Sequence, residues 1–242
     1  MPTLAIFGDI HANLPALEAV LADMDARGLS ERYCLGDLVG YGTSPNEVVE
    51  IIRAAKTPTL IGNYDEGVGN SSPDCGCAYR TPEDKARGER SIAWTNAQTT
   101  AENKTFLRRL PMQIPLRLGG RAVLLVHGSP RRINEYLYED RPESSLERIL
   151  DQAGADVLVC GHTHLPYHRT LPSGREVINA GSVGKPKDGD PRACYLVLRE
   201  EGDGIAAEFV RVAYDVEKAA QAIEAADGLP DEFAAMLREA RG

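Results

Sequence analysis

Five short apolar runs in this chain each end at a glycine placed beside an acid, an amide or a histidine. Leu4 to Phe7 runs into Gly8-Asp9-Ile10-His11, Tyr33 to Leu35 into Gly36-Asp37, and Thr59 to Ile61 into Gly62-Asn63-Tyr64-Asp65. Val123 to Val126 runs into His127-Gly128, and Asp156 to Cys160 into Gly161-His162-Thr163-His164. Short apolar runs bounded by turn residues read as buried strands. Helical patterns separate the first three. Asn13 is placed to cap a helix with Pro15 in its first turn, Leu14, Leu17, Val20, Leu21 and Met24 recur at helical spacing, and Gly28 ends it. A second helix is expected from Pro45 to Ala55. Such β-α-β-α-β stretches build parallel sheets with right-handed crossovers. In open α/β sheets ligands collect at the carboxyl ends of the strands. Motifs distant in sequence are therefore expected to meet at one edge.

The rest of the chain reads as more of the same domain. Residues 66–90 are polar and irregular and are expected to form an inserted loop. Ser91 to Leu110 suggests a helix or two, with Trp94, Phe106 and Leu107 as core candidates. Hairpins are expected around Gly119-Gly120, around Pro172-Ser173-Gly174, and between Cys194 to Leu198 and Ile205 to Val212, with a helix from Ser144 to Gln152 between the first two. The amphipathic segments Val216 to Ala226 and Glu232 to Arg241 make residues 214–242 a helical tail. No repeat or linker divides the chain, so 1–242 is read as a single domain.

Composition narrows the function. With 27 basic and 36 acidic residues the chain has a formal charge of −9, and general nucleic-acid affinity, which comes mostly from Lys and Arg, is not expected. Arg131-Arg132 and Lys185 with Lys187 are the nearest things to a basic patch. No run approaches the ~18 apolar residues of a membrane span, and the first residues lack the basic region of a signal peptide. Cys34, Cys160 and Cys194 sit in apolar runs and read as small buried residues. Cys75 and Cys77 lie in a Gly- and Pro-containing loop, where packing is the expected role and metal or redox chemistry the alternative. The simplest location is a reducing cytoplasm. A homo-oligomer is compatible with the sequence, which does not decide it.

Carboxylate, amide and imidazole together suit borderline divalent ions of the first row. Two such ions about 3.5–4 Å apart can clamp a phosphoryl group and lower the pKa of a water held between them, making hydroxide the nucleophile. No Ser or Cys nucleophile is then needed. The order Gly-Asp-x-His, Gly-Asp, Gly-Asn-x-Asp, His, Gly-His-x-His resembles the calcineurin-like metallophosphoesterases, in their small bacterial YfcE-like branch, from Thr3 to about Leu198. The resemblance implies a four-layer α/β/β/α sandwich with two mixed sheets. It implies that Asp9, His11 and His164 hold a first ion, that Asn63, His127 and His162 hold a second, and that Asp37 bridges them. It implies two divalent ions, Mn²⁺ favoured, with Fe, Zn²⁺, Ni²⁺ or Mg²⁺ as alternatives, and a small phosphoester substrate.

The third motif departs from the family pattern. Much of the family has a histidine where this chain has Tyr64, a histidine thought to stabilise or protonate the leaving oxygen. A phenol has a reference pKa of about 10 and carries no charge at neutral pH. It is a poorer acid for an alkoxide, and good leaving groups need less acid help. The expected activity is hydrolysis of phosphodiesters or phosphoanhydrides, with Tyr64 donating to the transferred group and Asp65 orienting it. Asn13 is a helix cap with a second use near the phosphate, and Arg131 and Arg132 are candidates to reach the substrate. His168 reads as hairpin surface, and Gly181 to Gly184 as a tight turn near the metals. Phosphomonoesterase or protein phosphatase activity on the same site is the alternative within the family. A further one is an interaction protein on the same fold, as in a retromer subunit, which retention of all seven ligands disfavours. A metal-dependent C–N hydrolase ranks lower, because its His-x-His usually comes early.

Overall fold

The computed structural model describes residues 2–202 and 204–242. Strands β1 (Thr3–Phe7), β2 (Arg32–Cys34), β8 (Ala193–Glu201) and β9 (Gly204–Val212) form one sheet in the order β2-β1-β8-β9. Strands β3 (Gln113–Leu118), β4 (Arg121–Val126), β5 (Val157–Cys160), β6 (Tyr167–Thr170) and β7 (Glu176–Asn179) form the other, in the order β3-β4-β5-β7-β6. Both sheets are mixed. β1 pairs parallel with β2 and antiparallel with β8. β5 pairs parallel with β4 and β7, and the outer pairs β3-β4 and β6-β7 are antiparallel.

The two-residue period of a strand sends alternate side chains to opposite faces, and that alternation builds the layers. Leu4 and Ile6 of β1, with Leu196 and Leu198 of β8, meet Val123 and Leu125 of β4 and Val157 and Val159 of β5 in the space between the sheets. Ala5 and Phe7 face the other way, onto Leu17, Val20 and Met24 of α1 (Leu14–Ala26) and Val48, Val49 and Ile52 of α2 (Pro45–Ala54). Leu124, Val126, Leu158 and Cys160 face Leu146, Ile149 and Leu150 of α6 (Glu143–Ala153). The result is helix on sheet on sheet on helix, the four-layer α/β/β/α sandwich expected.

Three local expectations change. Thr59 to Ile61 is not a strand: only Thr59 bridges to Cys34. Pro58 has no N–H to give a ladder, and the Ile61 N–H goes to the Pro111 carbonyl at 2.9 Å. The inserted segment is mostly helical, with α3 (Asn63–Gly69) and α4 (Pro82–Gln98) leaving only 70–81 irregular. Thr81 caps α4 by accepting from the Asp84 N–H at 3.1 Å, and Thr81-Pro82-Glu83-Asp84 carries the N-cap and first-turn proline that announce a helix. Trp94 is half-buried rather than central. It packs against the C-terminal helices and donates its indole N–H to the Asp227 carbonyl at 3.0 Å. The helix α5 (Ala101–Leu107) buries Leu107 against α3.

The C-terminal segments form α7 (Val216–Glu224) and α8 (Glu232–Glu239), which bury Ala220, Ile223, Phe233 and Leu237 against each other. Phe233 meets the Tyr41 ring edge-on at 5.0 Å. The Ala240 carbonyl accepts from the Gly189 N–H at 3.0 Å. The tail is thereby fastened beside the edge where the motifs meet. No helix among the described residues is long and apolar enough to cross a membrane.

Candidate metal centre

The loops leaving β1, β2, β4 and β5, with the turn after the Thr59 bridge, bring all seven expected ligands together. Each is at most 4 % exposed. Five of them, Asp9, His11, Asp37, His162 and His164, sit at φ between 50° and 66°. A left-handed conformation costs an L-residue about 1–2 kcal/mol, and such strain persists where the surroundings over-determine it. Here the backbone is clamped. The Asp37 carbonyl accepts from both Ile10 and His11 N–H groups at 2.9 Å. The Asp9 carbonyl accepts from the Ser182 hydroxyl at 2.8 Å and from the Gly184 N–H at 3.0 Å. The Gly181 to Gly184 turn thus supports the centre. Gly62 is required by close approach, since a Cβ there would lie 2.1 Å from Asp37 Oδ1.

The donor atoms converge with their lone pairs inward. His11 Nδ1–H donates to the Val39 carbonyl at 3.1 Å, His127 Nδ1–H to that of Leu35 at 2.9 Å, and His164 Nδ1–H to that of Lys185 at 2.7 Å. In a neutral imidazole, a Nδ1–H tied to a backbone carbonyl leaves Nε2 unprotonated and free to ligate. His11 Nε2 and His164 Nε2 then face each other at 3.1 Å, with Asp9 Oδ1 3.3 Å from His164 Nε2. Asp37 Oδ2 lies 3.6 Å from His11 Nε2 and 3.4 Å from His127 Nε2, between the two groups. Asn63 donates its amide N–H to the Cys75 carbonyl at 2.9 Å and to Cys77 Sγ at 3.2 Å, which turns Oδ1 to within 3.1 Å of His127 Nε2. His162 Nε2 is buried without a partner. Converging lone pairs repel unless a cation lies among them, so the residues fit divalent ions. Two groups of ligand atoms lie close enough to hold an ion each: Asp9, His11 and His164, and Asp37, His127 and His162.

Electrostatics follow from burial and neighbours. Burial lowers His11 to about 3 and holds His162 and His164 well below the usual imidazole range. His127 is different. Burial pushes it down, but the Asp37 and Asp9 carboxylates outweigh it and raise it to about 9. A proton on His127 is the small cation that this cage draws in. Burial raises Asp9.

The residues expected around the metals fall into other places. Asn13 Oδ1 caps α1 through the Ala16 N–H at 3.2 Å, and its amide donates to the Gly184 carbonyl and the Tyr214 hydroxyl at 3.0 and 3.1 Å. Its polar atoms are occupied. Asp65 accepts from the Leu38 N–H at 2.9 Å and the Gly62 N–H at 3.0 Å, tying two motif loops together. Burial, then the Asp37 charge, raises it to about 7. Arg131 pairs with Glu135, and neither Arg131 nor Arg132 lines the cleft over the centre. His168 is bound to Glu176 at 2.6 Å within the β6-β7 hairpin.

Tyr64 is fully buried and lines no cleft beside the centre. Its ring meets His11 edge-on at 5.5 Å and Tyr41 at 4.7 Å. Burial raises its hydroxyl well above the usual phenol range, and among the described residues the hydroxyl approaches that of Tyr41 without full hydrogen-bonding geometry. Four other tyrosines, Tyr41, Tyr79, Tyr136 and Tyr138, line the cleft, and the Lys185 Nζ lies 4.7 Å above the Tyr41 ring. The Tyr136 ring lies 4.0 Å from that of His162, tilted by 36°. Sequence reading missed these tyrosines, though Tyr41 closes the loop that starts at Gly36-Asp37.

The chain matches the family model described as the calcineurin-like phosphoesterase superfamily domain over residues 3–203. It is 37% identical over 237 residues to protein MJ0912 of Methanocaldococcus jannaschii, covering 91% of each chain. A shorter match, 40% identical over 87 residues, covers 36% of this chain and 45% of a probable metallophosphoesterase of Methanothermobacter thermautotrophicus. Among solved structures, the metallophosphoesterase of Sphaerobacter thermophilus is 31% identical with a TM-score of 0.77, covering 98% of each chain. Protein PH1004 of Pyrococcus horikoshii shares the fold, with a TM-score of 0.82 at 24% identity over 98% of each chain. This chain belongs to the calcineurin-like phosphoesterase superfamily.

Proposed function

We propose that the protein is a dinuclear metal-dependent phosphodiesterase. The observation that carries this reading is the inward convergence of imidazole, carboxylate and amide lone pairs around Asp37, beside two clefts that share one wall. Asp9, His11 and His164 would hold one ion and Asn63, His127 and His162 the other, with Asp37 placed to serve both. The mixture of N and O ligands suits Mn²⁺ best among the candidates. Two such ions supply Lewis acidity and an activated water as nucleophile.

The chain's own residues then select the substrate. Tyr41, Lys185 and Phe233 line both clefts and divide them. His11 borders one; Thr163, between two ligand histidines, borders the other. A diester has two organic groups on one phosphorus, and two clefts accommodate one each. Lys185 is 7 % exposed and has no ion pair among the described residues; burial, then Lys187, holds it well below the usual lysine range, and a phosphoryl oxygen beside it would favour its charged form. Tyrosine faces at 41 and 136 favour aryl or nucleoside groups. Aryl alcohols leave without much acid help, in keeping with the absence of a histidine at position 64. Placement in the YfcE-like branch rests on the motif order alone. We read residues 1–242 as one functional unit, located in the cytoplasm on the reading of its cysteines as reduced thiols.

The test is a substrate panel with Mn²⁺, comparing bis-aryl phosphate, aryl monophosphate and alkyl monophosphate in wild type, Lys185→Ala and Tyr64→Phe. The diester should be the best substrate, with Lys185→Ala raising KM about tenfold or more through loss of a charge-assisted contact. Tyr64→Phe should stay within about twofold in rate and within ~1 kcal/mol in stability, because its buried hydroxyl makes only a poorly aligned contact with that of Tyr41. Preference for alkyl monoesters would overturn the diester reading. A large rate loss in Tyr64→Phe would restore that phenol as an acid.

A further inference from the structure

The loop that orients Asn63 also holds two thiols in contact. Cys75 Sγ and Cys77 Sγ are 3.1 Å apart, and a disulfide needs about 2.05 Å, so closure takes about 1 Å of side-chain movement. Gly76 stands between them at φ +68°, the reversal that brings side chains two residues apart to one side. The turn is braced on both flanks. Asp74 accepts from the Gly76 N–H at 2.9 Å, and Asn134 donates to the Gly76 carbonyl at 2.9 Å. Cys77 lines the cleft over the metal centre, while Cys75 is buried behind it. The other three cysteines are buried in strands or at their ends, with no sulfur partner.

We propose that Cys75 and Cys77 form a reversible dithiol site that a hydroperoxide closes to a disulfide, loosening Asn63 at the metal centre. The Cys77 sulfur, reached through the cleft, attacks one peroxide oxygen and the O–O bond breaks. That sulfur is oxidised to a sulfenic acid, and the other oxygen leaves as water with the thiol proton. The Cys75 sulfur then attacks the sulfenic sulfur. The S–S bond forms, the S–O bond breaks, and hydroxide departs as a second water with the Cys75 proton. Two electrons pass from the two thiols to the peroxide. As Cys77 Sγ swings toward Cys75 it moves away from the Asn63 amide that it now accepts from at 3.2 Å. Asn63 keeps the Cys75 carbonyl but loses the second contact that fixes its Oδ1 toward His127.

The coupling to metal rests on the proposed ligand role of Asn63; the dithiol chemistry does not. Full-length protein is treated with hydrogen peroxide, quenched with a thiol-blocking reagent and weighed intact without reductant. The expected result is a loss of about 2 Da with two thiols gone, reversed by dithiothreitol and absent in Cys75→Ser and Cys77→Ser. Five blockable thiols after treatment, or only overoxidised sulfur that dithiothreitol does not reverse, would overturn the site. Equilibrium dialysis against Mn²⁺ then compares the reduced and oxidised forms. Affinity for one ion should fall about tenfold on oxidation, the usual scale for losing a contact that orients a ligand. Equal affinity in both forms would overturn the coupling. Absence of Mn²⁺ from both would overturn the metal-centre reading, while the mass still decides the dithiol.

Discussion

Asp37→Asn should leave a folded protein with almost no phosphodiesterase activity. Asp37 Oδ2 sits between His11 and His127 at 3.6 and 3.4 Å, so it is the one carboxylate able to serve both ions. Removing its charge removes the bridge, and losses of 10²- to 10³-fold are usual when one preorganised electrostatic group is deleted, so kcat/KM should fall by about 10³ or more. Stability separates this from unfolding. Asn keeps an oxygen for the Tyr64 N–H, which now donates to Asp37 Oδ1 at 2.8 Å. It also removes the neighbouring charge that, after burial, raises Asp65 to about 7. Against that, the variant loses the carboxylate that raises His127 to about 9, so the two changes offset and the metal-free variant should melt within a few degrees of metal-free wild type. Wild type should gain about 2.7 kcal/mol at Mn²⁺ one hundredfold above Kd, and the variant should lose most of that gain. A variant that melts far lower without metal would make Asp37 a structural residue. One that keeps both activity and metal stabilisation would remove it from the centre.

Metal binding should depend steeply on pH, and more at one of the two positions than at the other. In the metal-free protein His127 is raised to about 9, because Asp37 and Asp9 outweigh its burial. At pH 7 it holds a proton that an incoming ion must expel. Affinity at that position should rise about tenfold per pH unit up to about 9 and then level off, since ligands bind metals only when deprotonated. His11, lowered to about 3 by burial, holds no proton to expel across the neutral range, and burial keeps His164 unprotonated there too. At the position they share with Asp9 these imidazoles should add no pH dependence near neutrality, and any proton released there comes from Asp9, which burial raises. Calorimetric titration in buffers of different ionisation heat reads the released protons directly. About one proton for one ion and fewer for the other is expected at pH 7. Equal proton release at both positions would contradict the assignment.

Much of this site was legible because strand ends announce themselves. The runs before Asp9, His127 and His162 are strands β1, β4 and β5, whose alternate residues fill two different cores. The run before Asn63 looked the same but lacks a ladder, because Pro58 and the Ile61 N–H are used otherwise. Its motif still arrives, placed by Asp65 and by the close approach at Gly62. The surroundings of the metals were less legible. Asn13 and Asp65 are polar residues beside a motif, and pattern alone does not reveal that backbone groups have already taken their atoms. Arg131 follows His127 closely, yet Glu135, four residues on in the same loop, captures it. Tyr41 and Tyr136 come from loops whose paths depend on packing against Phe233 and His162. Lys185 stood out in the sequence only as part of a small basic pair; its place after Asn179, at the end of β7, puts it on the same edge of the same sheet as His162. The Cys75 and Cys77 pair showed only as a weak spacing signal. Its meaning lies in the distance to Asn63, which no spacing contains.

The central claim is a pair of adjacent divalent ions bridged by Asp37. The most direct measurement is electron paramagnetic resonance of the protein titrated with Mn²⁺, with bound metal counted by dialysis. The account predicts two ions per chain, with the six-line spectrum of isolated Mn²⁺ replaced by that of an exchange-coupled pair as the second ion binds, as expected for ions about 3.5–4 Å apart. Saturation at one ion per chain, or two ions with uncoupled six-line spectra, would contradict it.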